Sequence, residues 1–490
     1  MTNASQQQDF PFRGLKPESV WKHFAALCRI PRQSKHEGPV KDYLRKWATG
    51  QGLVNFIDAG GNLVIRKPAS PGRENAPGII LQAHLDMVCQ KNDSSTHDFS
   101  RDPIHATVRG NLVLSENTTL GADDGIGVAL ALAVLDDNSL VHGPLEALLT
   151  VDEEEGMGGA NKLATDVLQG KILLNLDSET WGDFCLGCAG GMDVLVRRAG
   201  HPETFPAGWQ AVQIDITGLR GGHSGINIHE GRGNAIKLLA RILHSLQNRF
   251  PVCLSTLTGG TARNALPREA SAIIGVQPQN TASLNDLLQQ WQTLIRQELA
   301  GVDENIRIGW KPVTAGQIMS SDDQRVWLHS LHAAPHGIWR MSVSAPGSPE
   351  TSNNLGTVNL QPDSGSCTFM VRSTIESACH ALAEEIASLF ALSGIQIRKE
   401  NAYPGWAPDL SSPLLALCRK IYKQEFGSEP ATHIIHAGLE CGILKSKYPD
   451  LDIISFGPTI HSPHAPGESV EIDTVENCWR LLKALLNAIE

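Results

Sequence analysis

The stretch "LEALLTVDEE", residues 145–154, joins a largely apolar run to a run of acids. Two other stretches have the same form, "GIILQAHLDMV" (78–88) and "KILLNLD" (171–177). Near-continuous apolar runs are typical of central strands in a parallel sheet, which helices cover on both faces. The Ala- and Leu-rich stretch "GIGVALALAVLDD" (125–137) predicts one such helix. The sequence therefore predicts an α/β fold whose mostly parallel sheet has helices on both faces.

Polar side chains stand where these predicted strands and the predicted helix meet their loops. In open α/β sheets, ligands bind at the carboxyl ends of the strands. The side chains expected there are His84, Asp86, Asp123, Glu153, Glu154 and Asp177. Carboxylates in a buried setting repel one another unless a cation compensates them. The set holds more negative charge than one ion needs, which favours a divalent metal pair that shares one acid and one water.

The hydrophobic pattern of the sequence changes after about residue 205. The stretch at 209–219 alternates with period two, as half-buried strands do, and an amphipathic helix is predicted over 233–248. A similar succession of strands and helices restarts near residue 304, which predicts a duplicated α+β unit. The predicted organisation is a catalytic α/β domain in two parts, 1–204 and 401–490, interrupted by an α+β lid domain at 205–400 with tandem copies at about 205–300 and 301–400.

The composition is that of an ordinary globular protein, with 490 residues, 41% of them hydrophobic, and a net charge of −11. The sequence has no basic block, so we expect no nucleic-acid partner. The polar N-terminal residues 1–14 lack the apolar core of a secretory signal, and no apolar stretch is long enough to predict a membrane span. The ten cysteines are scattered, as is typical of reduced thiols in a cytoplasmic protein.

Six motifs follow one another along the chain: "HLDMV", "GADDGIG", "DEEEGMGG", "NLD", "GGHSG" and "HAPGE". Together they resemble the co-catalytic zinc aminoacylase/carboxypeptidase family of peptidases, and within it the aminoacyl-histidine dipeptidases. The resemblance extends over nearly the whole chain. It implies hydrolysis of Xaa-His dipeptides such as β-alanyl-histidine by a hydroxide that bridges two zinc ions, with cobalt or manganese as substitutes.

The resemblance also implies a role for each polar residue of the first domain. The metal ligands that it implies are His84, Asp123, Glu154, Asp177 and His464, with Asp123 bridging the two ions. Glu153 matches the general base, and Asp86 matches the acid that orients His84. The last ligand is a histidine near the C-terminus, and His464 is preferred because "APGE" follows it. His461 is the alternative.

Three residues of the lid domain match substrate-binding positions of the family. His223 in "GGHSG" matches a histidine that helps to hold the oxyanion, and Asn264 in "RNALP" matches an asparagine of similar role. Arg372 in "FMVRS" suits the C-terminal carboxylate of a substrate, which a guanidinium binds in bidentate fashion. The second copy offers Asn353 or Asn354, but its stretch "SVSAPGSPE" carries no histidine, and the last strand of the first copy, "ASAIIGV", carries no arginine. One chain could therefore complete its own set, or a partner in a homodimer could supply His223, and the sequence leaves this open.

Two other functions are compatible with the same motifs. A broader dipeptidase, a tripeptidase or an amino-acid deacylase would share the metal site, because specificity resides in the lid. A non-catalytic metal-binding scaffold is the alternative from another class. Glu153 argues against the scaffold, since a scaffold needs ligands but no adjacent base. The native metal and the residue preference on either side of the scissile bond are left open by the sequence.

Overall fold

The computed structural model describes residues 11–490, so most of the polar N-terminal stretch lies outside the described residues. The described helices are α1 (Glu18–Cys28), α2 (Gly38–Gly50), α3 (Ala122–Asp136), α4 (Gly158–Lys162), α5 (Ala235–Gln247), α6 (Thr281–Glu298), α7 (Ser321–Ala333), α8 (Glu376–Ala391), α9 (Pro413–Phe426), α10 (Glu440–Lys447) and α11 (Ile472–Ala488). None of these helices combines the length and the apolar character that a membrane crossing requires.

The described strands are β1 (Val54–Ile57), β2 (Leu63–Lys67), β3 (Ile79–His84), β4 (Thr107–Arg109), β5 (Leu112–Leu114), β6 (Leu145–Thr150), β7 (Ile172–Asn175), β8 (Asp183–Cys188), β9 (Gly190–Ala199), β10 (Pro202–Thr204), β11 (Gln210–Thr217), β12 (Gly222–His223), β13 (Val252–Gly259), β14 (Ala265–Leu266), β15 (Ala270–Val276), β16 (Arg307–Pro312), β17 (Gln317–Met319), β18 (Gly337–Met341), β19 (Pro349–Gln361), β20 (Ser364–Ser373), β21 (Gln396–Tyr403), β22 (Ala431–Ile435), β23 (Asp452–Ser455), β24 (Ile460–His461) and β25 (Ser469–Glu471).

The chain divides into two compact units. The first unit comprises the chain up to Gly187 together with Pro408–Ile434 and Leu439–Glu490. The second unit comprises Cys188–Ala407 and Ile435–Gly438. Strand β9 precedes residue 205 but belongs to the second unit, because it pairs with β20 and β21.

An eight-stranded sheet in the order β1-β2-β6-β3-β7-β23-β8-β22 organises the first unit. Its four middle strands, β6, β3, β7 and β23, are parallel. Every residue of β3 and β6 is buried, so both faces of these strands are covered. Helix α3, which is apolar all round, is almost entirely buried as well, as such helices are in large cores. The α/β fold predicted from the sequence is confirmed.

The parallel middle strands bring the predicted site residues to one edge of the sheet. Strand β3 ends at His84, with Asp86 two residues further on. Glu153 and Glu154 follow the end of β6, and Asp177 follows the end of β7. Because parallel strands present their carboxyl ends together, these side chains lie at the edge where such sheets bind ligands.

The second unit is built on a mainly antiparallel sheet in the order β16-β11-β15-β13-β19-β20-β9-β21, with β18 paired to β19. From Val212 to the end of β11, buried and half-buried residues alternate, which is the predicted period-two pattern. Strand β13 pairs antiparallel with β19 and so joins strands from both expected lid copies in one sheet. Residues of helices α5 to α8 pack with residues of this sheet in one apolar core.

Candidate active site

Carboxylates and imidazoles in the first unit converge in overlapping groups of three. One group is His84, Asp123 and Asp177, and another is Asp123, Glu154 and His464. Within each group the ligand atoms lie within 4.8 Å of one another. Histidine nitrogen and carboxylate oxygen are ligands that zinc readily takes. The two groups share Asp123, so this one side chain connects both.

The distances show how Asp123 connects the two groups. Its Oδ1 lies 3.1 Å from His84 Nε2, and its Oδ2 lies 3.1 Å from His464 Nε2. His84 Nε2 is also 3.4 Å from Asp177 Oδ1, and His464 Nε2 is 3.1 Å from Glu154 Oε2. The two oxygens of Asp123 therefore face different histidines, which is the arrangement that a bridging carboxylate requires.

The electrostatics of the cluster indicate a need for positive charge. Hydrogen bonds with Asp123 and Glu154 raise the pKa of His464 to about 11. Burial would lower the pKa of His84, but Asp177 and the other nearby carboxylates raise it well above its ordinary value. Glu154 Oε1 is buried and has no hydrogen-bond partner among the described residues. This donor set therefore fits divalent cations, which would take the place of the two imidazole protons.

Glu153 differs from its neighbours in its surroundings. Burial, together with the nearby Asp177 and Glu440 carboxyl groups, raises the pKa of Glu153 well above its ordinary value. Its backbone N–H donates to Asp86 Oδ1 at 3.1 Å, and the N–H of Glu154 donates to Asp86 Oδ2 at 3.1 Å. One carboxylate thus orients both glutamates, and a glutamate with a raised pKa is suited to accept a proton.

Asp86 also contacts His84. The ring Nδ1 of His84 lies 3.2 Å from the carbonyl oxygen of Asp86 and 3.5 Å from its carboxylate Oδ1. Although burial opposes it, hydrogen bonds from His84 and Ser34 lower the pKa of Asp86 to about 2. Asp86 is therefore an anion that fixes His84 with its backbone and the two glutamates with its side chain.

His461 lies apart from the cluster. Its Nε2 is 2.7 Å from Glu471 Oε1, and both side chains are at least partly exposed. His464, three residues later, has a left-handed backbone (φ 63°) that is uncommon for a non-glycine residue. The structure thus brings His464, and not His461, to the group around Asp123.

In the second unit, His223 is held as a hydrogen-bond donor. Its Nδ1 accepts from the backbone N–H groups of Gly225 at 3.2 Å and Ile226 at 3.1 Å, so the remaining proton resides on Nε2. Burial, followed by the charge of Arg372, lowers the pKa of His223 to about 4. At neutral pH the ring is therefore a neutral donor from Nε2.

Arg372 is a buried guanidinium for which the described residues provide no carboxylate in ion-pair contact. Its Nη1 donates to the hydroxyl of Tyr403 at 2.7 Å, and its Nη2 lies 3.5 Å from Nε2 of His223. Its Nε is buried without a hydrogen-bond partner among residues 11–490. Two donor groups, Nη2 of Arg372 and Nε2–H of His223, thus approach each other, which favours an anionic oxygen as their common acceptor.

Asn264 is exposed and lies next to His223 in space. Its carbonyl oxygen accepts from the N–H of Ser224 at 2.8 Å. The amide of Asn354 donates to the carbonyls of Arg263 and Ala265 at 3.0 and 2.9 Å, so it supports the turn that presents Asn264. The amide of Asn353 instead donates to the Pro335 carbonyl at 2.6 Å.

The comparisons with known proteins agree with this chemistry. Residues 214–303 match the peptidase dimerisation domain of the M20 family. The chain is 43% identical over 478 residues to the cytosol non-specific dipeptidase of Escherichia coli (strain K12). The aligned region covers 97% of this chain and 98% of that protein. The chain belongs to the M20 family of metallopeptidases. The resemblance inferred from its motifs is confirmed.

Solved structures of the M20 family show the same fold. The aminoacylhistidine dipeptidase from Vibrio alginolyticus superposes with a TM-score of 0.92 at 42% identity, over 100% of this chain and 99% of that chain. The aminopeptidase PepT from Bacillus cereus superposes with a TM-score of 0.55 at 16% identity, over 97% of this chain and 99% of that chain. At that lower identity the similarity shows the fold alone. Membership of this metallopeptidase family implies a bound divalent metal.

Two residues beside the M20 motifs were not expected from the sequence. Ser34 Oγ donates to Asp86 Oδ2 at 2.7 Å, and no local pattern indicates it. Glu179 stands two residues after Asp177, and burial, followed by the charge of Asp123, raises its pKa to about 7. Its position just beyond a strand end is a signal from which it could have been found.

Two buried residues from the C-terminal part of the chain were also missed. Glu440 accepts hydrogen bonds from Gln82 and Thr150 at 2.7 Å each, and burial raises its pKa to about 8. His436 Nε2 lies 2.7 Å from Ser352 Oγ in the second unit. Both are single polar residues in mixed sequence, and their partners are too distant along the chain for any sequence pattern to indicate them.

Proposed function

We propose that this chain is a dizinc dipeptidase that hydrolyses Xaa-His dipeptides such as β-alanyl-histidine, with cobalt or manganese able to replace zinc. The observation on which the proposal depends is the position of Asp123, whose two oxygens face two histidines in separate donor groups. Two relatives at more than 40% identity are dipeptidases by name. One is named for aminoacyl-histidine substrates, which supports this substrate class.

His84, Asp123 and Asp177 would hold one ion, and Asp123, Glu154 and His464 would hold the other. Bound divalent ions polarise the scissile carbonyl and make a water molecule more acidic. The protein's own part in the reaction is to hold the ligands, to move a proton and to orient the substrate.

Glu153 moves the proton. Its carboxylate removes a proton from the attacking water and then delivers it to the nitrogen of the leaving amine. The raised pKa of Glu153 supports this role, because a base with an ordinary carboxyl pKa would hold the proton too weakly at neutral pH. The bond from its N–H to Asp86 keeps the residue in place beside the ligand Glu154.

His223, Asn264 and Arg372 orient the substrate. His223 donates from Nε2 to the oxygen of the scissile carbonyl, where negative charge develops during the reaction. Arg372 binds the C-terminal carboxylate of the substrate. Its buried Nε has no hydrogen-bond partner among the described residues, and a carboxylate would supply one. Asn264 adds an amide beside His223.

We also propose that the chain forms a homodimer in the cytoplasm. The match of residues 214–303 to a dimerisation domain supports the dimer, and the name of the Escherichia coli relative supports the location. Light scattering on the purified protein measures the molar mass. A single-chain mass of 52.9 kDa would contradict the dimer.

A substrate panel tests the proposed function. The zinc-loaded protein is assayed with β-alanyl-histidine, several simple dipeptides, a tripeptide and N-acetyl amino acids. The Glu153→Gln protein, prepared in parallel, controls for contaminating peptidases. We expect kcat/KM to be highest for dipeptides with C-terminal histidine. Faster hydrolysis of the tripeptide would identify a tripeptidase, and faster hydrolysis of the N-acetyl amino acids a deacylase. Bound zinc with no hydrolysis would identify a scaffold.

A further inference from the structure

Glu468 places its carboxylate against the backbone that presents Asp123. Its Oε2 accepts from the N–H groups of Leu120 at 2.7 Å and Gly121 at 2.9 Å. Its Oε1 accepts from the N–H groups of Ala122 at 2.7 Å and Asp123 at 3.2 Å. The side chain is only 2% exposed. All four lone-pair directions of one carboxylate are therefore used by four consecutive amides.

Arg32 binds the same backbone from its carbonyl side. Its guanidinium donates to the carbonyl of Gly121, and through Nη1 to the carbonyls of Leu85 and Asp86 at 3.0 Å each. Arg32 is buried, and a side chain at Gly121 would collide with it. Gly121 also has a left-handed backbone (φ 70°), which glycine adopts without strain. The peptide groups of Gly121 are thus bonded to Glu468 through N–H and to Arg32 through C=O.

These bonds connect the segments that supply metal ligands. Arg32 connects two segments of the chain, the one directly after His84 at the end of β3 and the one at the start of α3. Glu468 joins the start of α3 to the loop of His464, which lies four residues before it. The neighbouring Asp124 adds a direct bond between α3 and the end of β3, because its Oδ2 accepts from the backbone N–H of His84 at 3.1 Å.

We propose that Glu468 and Arg32 are positioning residues of the metal centre, and that they set the spacing of Asp123 from His84 and His464. The inference rests on the proposed dizinc function. Groups that orient metal ligands typically contribute 10- to 100-fold to metal affinity. Glu468 contacts both the Asp123 segment and the His464 loop, so its loss affects mainly the ion held by Asp123, Glu154 and His464.

The test is a zinc titration of the chelator-treated full-length protein, with a chromophoric chelator as competitor. In the wild-type protein each oxygen of Glu468 accepts from two N–H groups. Glu468→Gln replaces one of these oxygens with an NH₂ group, which cannot accept, so two hydrogen bonds are lost. We expect one of the two zinc ions to bind roughly 10- to 100-fold more weakly, and added zinc to restore kcat. Glu471→Gln is the matched control, since Glu471 lies three residues away and contacts His461 instead.

Thermal unfolding of the zinc-free proteins distinguishes a role in positioning the metal ligands from a role in stabilising the fold alone. A purely structural role predicts a lower unfolding temperature with unchanged zinc affinity in the folded protein, and that result would overturn the inference. Arg32→Lys gives a second reading if Glu468→Gln does not fold, because one ammonium group cannot span the three carbonyls. Wild-type zinc affinity in Arg32→Lys would also overturn it. Failure of the wild-type protein to bind two ions would instead contradict the proposed function. The inference would still be tested, because it predicts weaker zinc binding by each variant than by the wild type.

Discussion

The Nε2 atom of His464 lies 3.1 Å from Oδ2 of Asp123, although 341 residues separate them in the chain. The opposite oxygen of Asp123 is equally close to His84. His461, only three residues before His464, contacts Glu471 instead. Two histidines that lie three residues apart therefore have different surroundings, and their substitutions should have different effects.

The change His464→Ala removes one of the three proposed ligands of one donor group. We expect the purified variant to retain about one zinc ion per chain and to lose most of its activity, because the remaining carboxylates hold the second ion weakly. Elemental analysis after gel filtration measures the zinc content. The control is His461→Ala, which should keep both ions. Loss of zinc in the control with full retention in His464→Ala would show that the last ligand has been assigned to the wrong histidine.

The change Glu153→Gln keeps the shape of the side chain and removes the proposed base. We expect unchanged zinc content and a kcat reduced by roughly 10²- to 10⁴-fold, since that is the usual contribution of a positioned general base. Steady-state kinetics and elemental analysis on the same sample provide the measurement. Glu155→Gln is the control, because this adjacent glutamate is exposed and contacts Lys35. If Glu155→Gln were the inactive variant, the base would have to be reassigned to that residue.

The change Arg372→Ala should raise KM for dipeptides by roughly 10- to 100-fold, because a hydrogen bond to a charged group contributes about 1.5–3 kcal/mol. The effect should shrink when the C-terminus of the dipeptide is amidated, since the charge that Arg372 is proposed to bind is then absent. Arg340→Ala, at an exposed position near Glu350 in the same sheet, is the control. An equal increase in KM for free and amidated substrates would argue against a carboxylate contact.

A pH dependence of stability follows from His436. Burial, followed by the nearby Arg372, lowers the pKa of His436 to about 3, whereas a histidine in an unfolded chain has a pKa of about 6.5. Between these values the unfolded chain binds a proton and the folded chain does not, so stability decreases as the pH falls from about 6.5 to 3. His436→Gln removes this proton uptake and retains an amide that can pair with Ser352.

Urea denaturation of the zinc-free proteins at pH 7.5 and pH 5 measures the effect of His436. The free energy of unfolding of the wild type should fall by about 2 kcal/mol more than that of His436→Gln between these values. Zinc is omitted so that protonation of the metal ligands contributes equally to both proteins. His380→Gln, at an exposed position on α8, is the control. Equal losses in wild type and His436→Gln would contradict a neutral His436 in the folded protein.

The sequence contained enough information to predict the central strands and the residues at their ends. Strands β3, β6 and β7 have near-continuous apolar sequences because both of their faces are buried, and this pattern is local. The acids after them, such as Asp177, could be predicted because a parallel sheet brings its strand ends together. Helix α3 was recognisable for the same reason, since its sequence is apolar on every side.

The residues that support the ligands could not be predicted from local patterns. Glu468 binds four backbone amides about 345 residues away. Every residue type except proline has a backbone N–H, so the identity of these residues does not indicate the contact. Within residues 11–490, the side chain of Arg32 likewise donates to backbone carbonyl oxygens. Strand β9 was expected in the catalytic part because nothing in its own residues indicates which sheet it joins. Its place depends on pairing with β20, which lies far along the chain.

The most direct test of the account is hydrolysis of β-alanyl-histidine during zinc titration of the chelator-treated protein. Release of free histidine is measured as zinc is added in steps from zero to several ions per chain. We predict no hydrolysis without metal and a rise that reaches its maximum at two zinc ions per chain. Hydrolysis that persists in the chelated protein, or its absence when both ions are bound, would contradict the proposal that this chain is a dizinc dipeptidase.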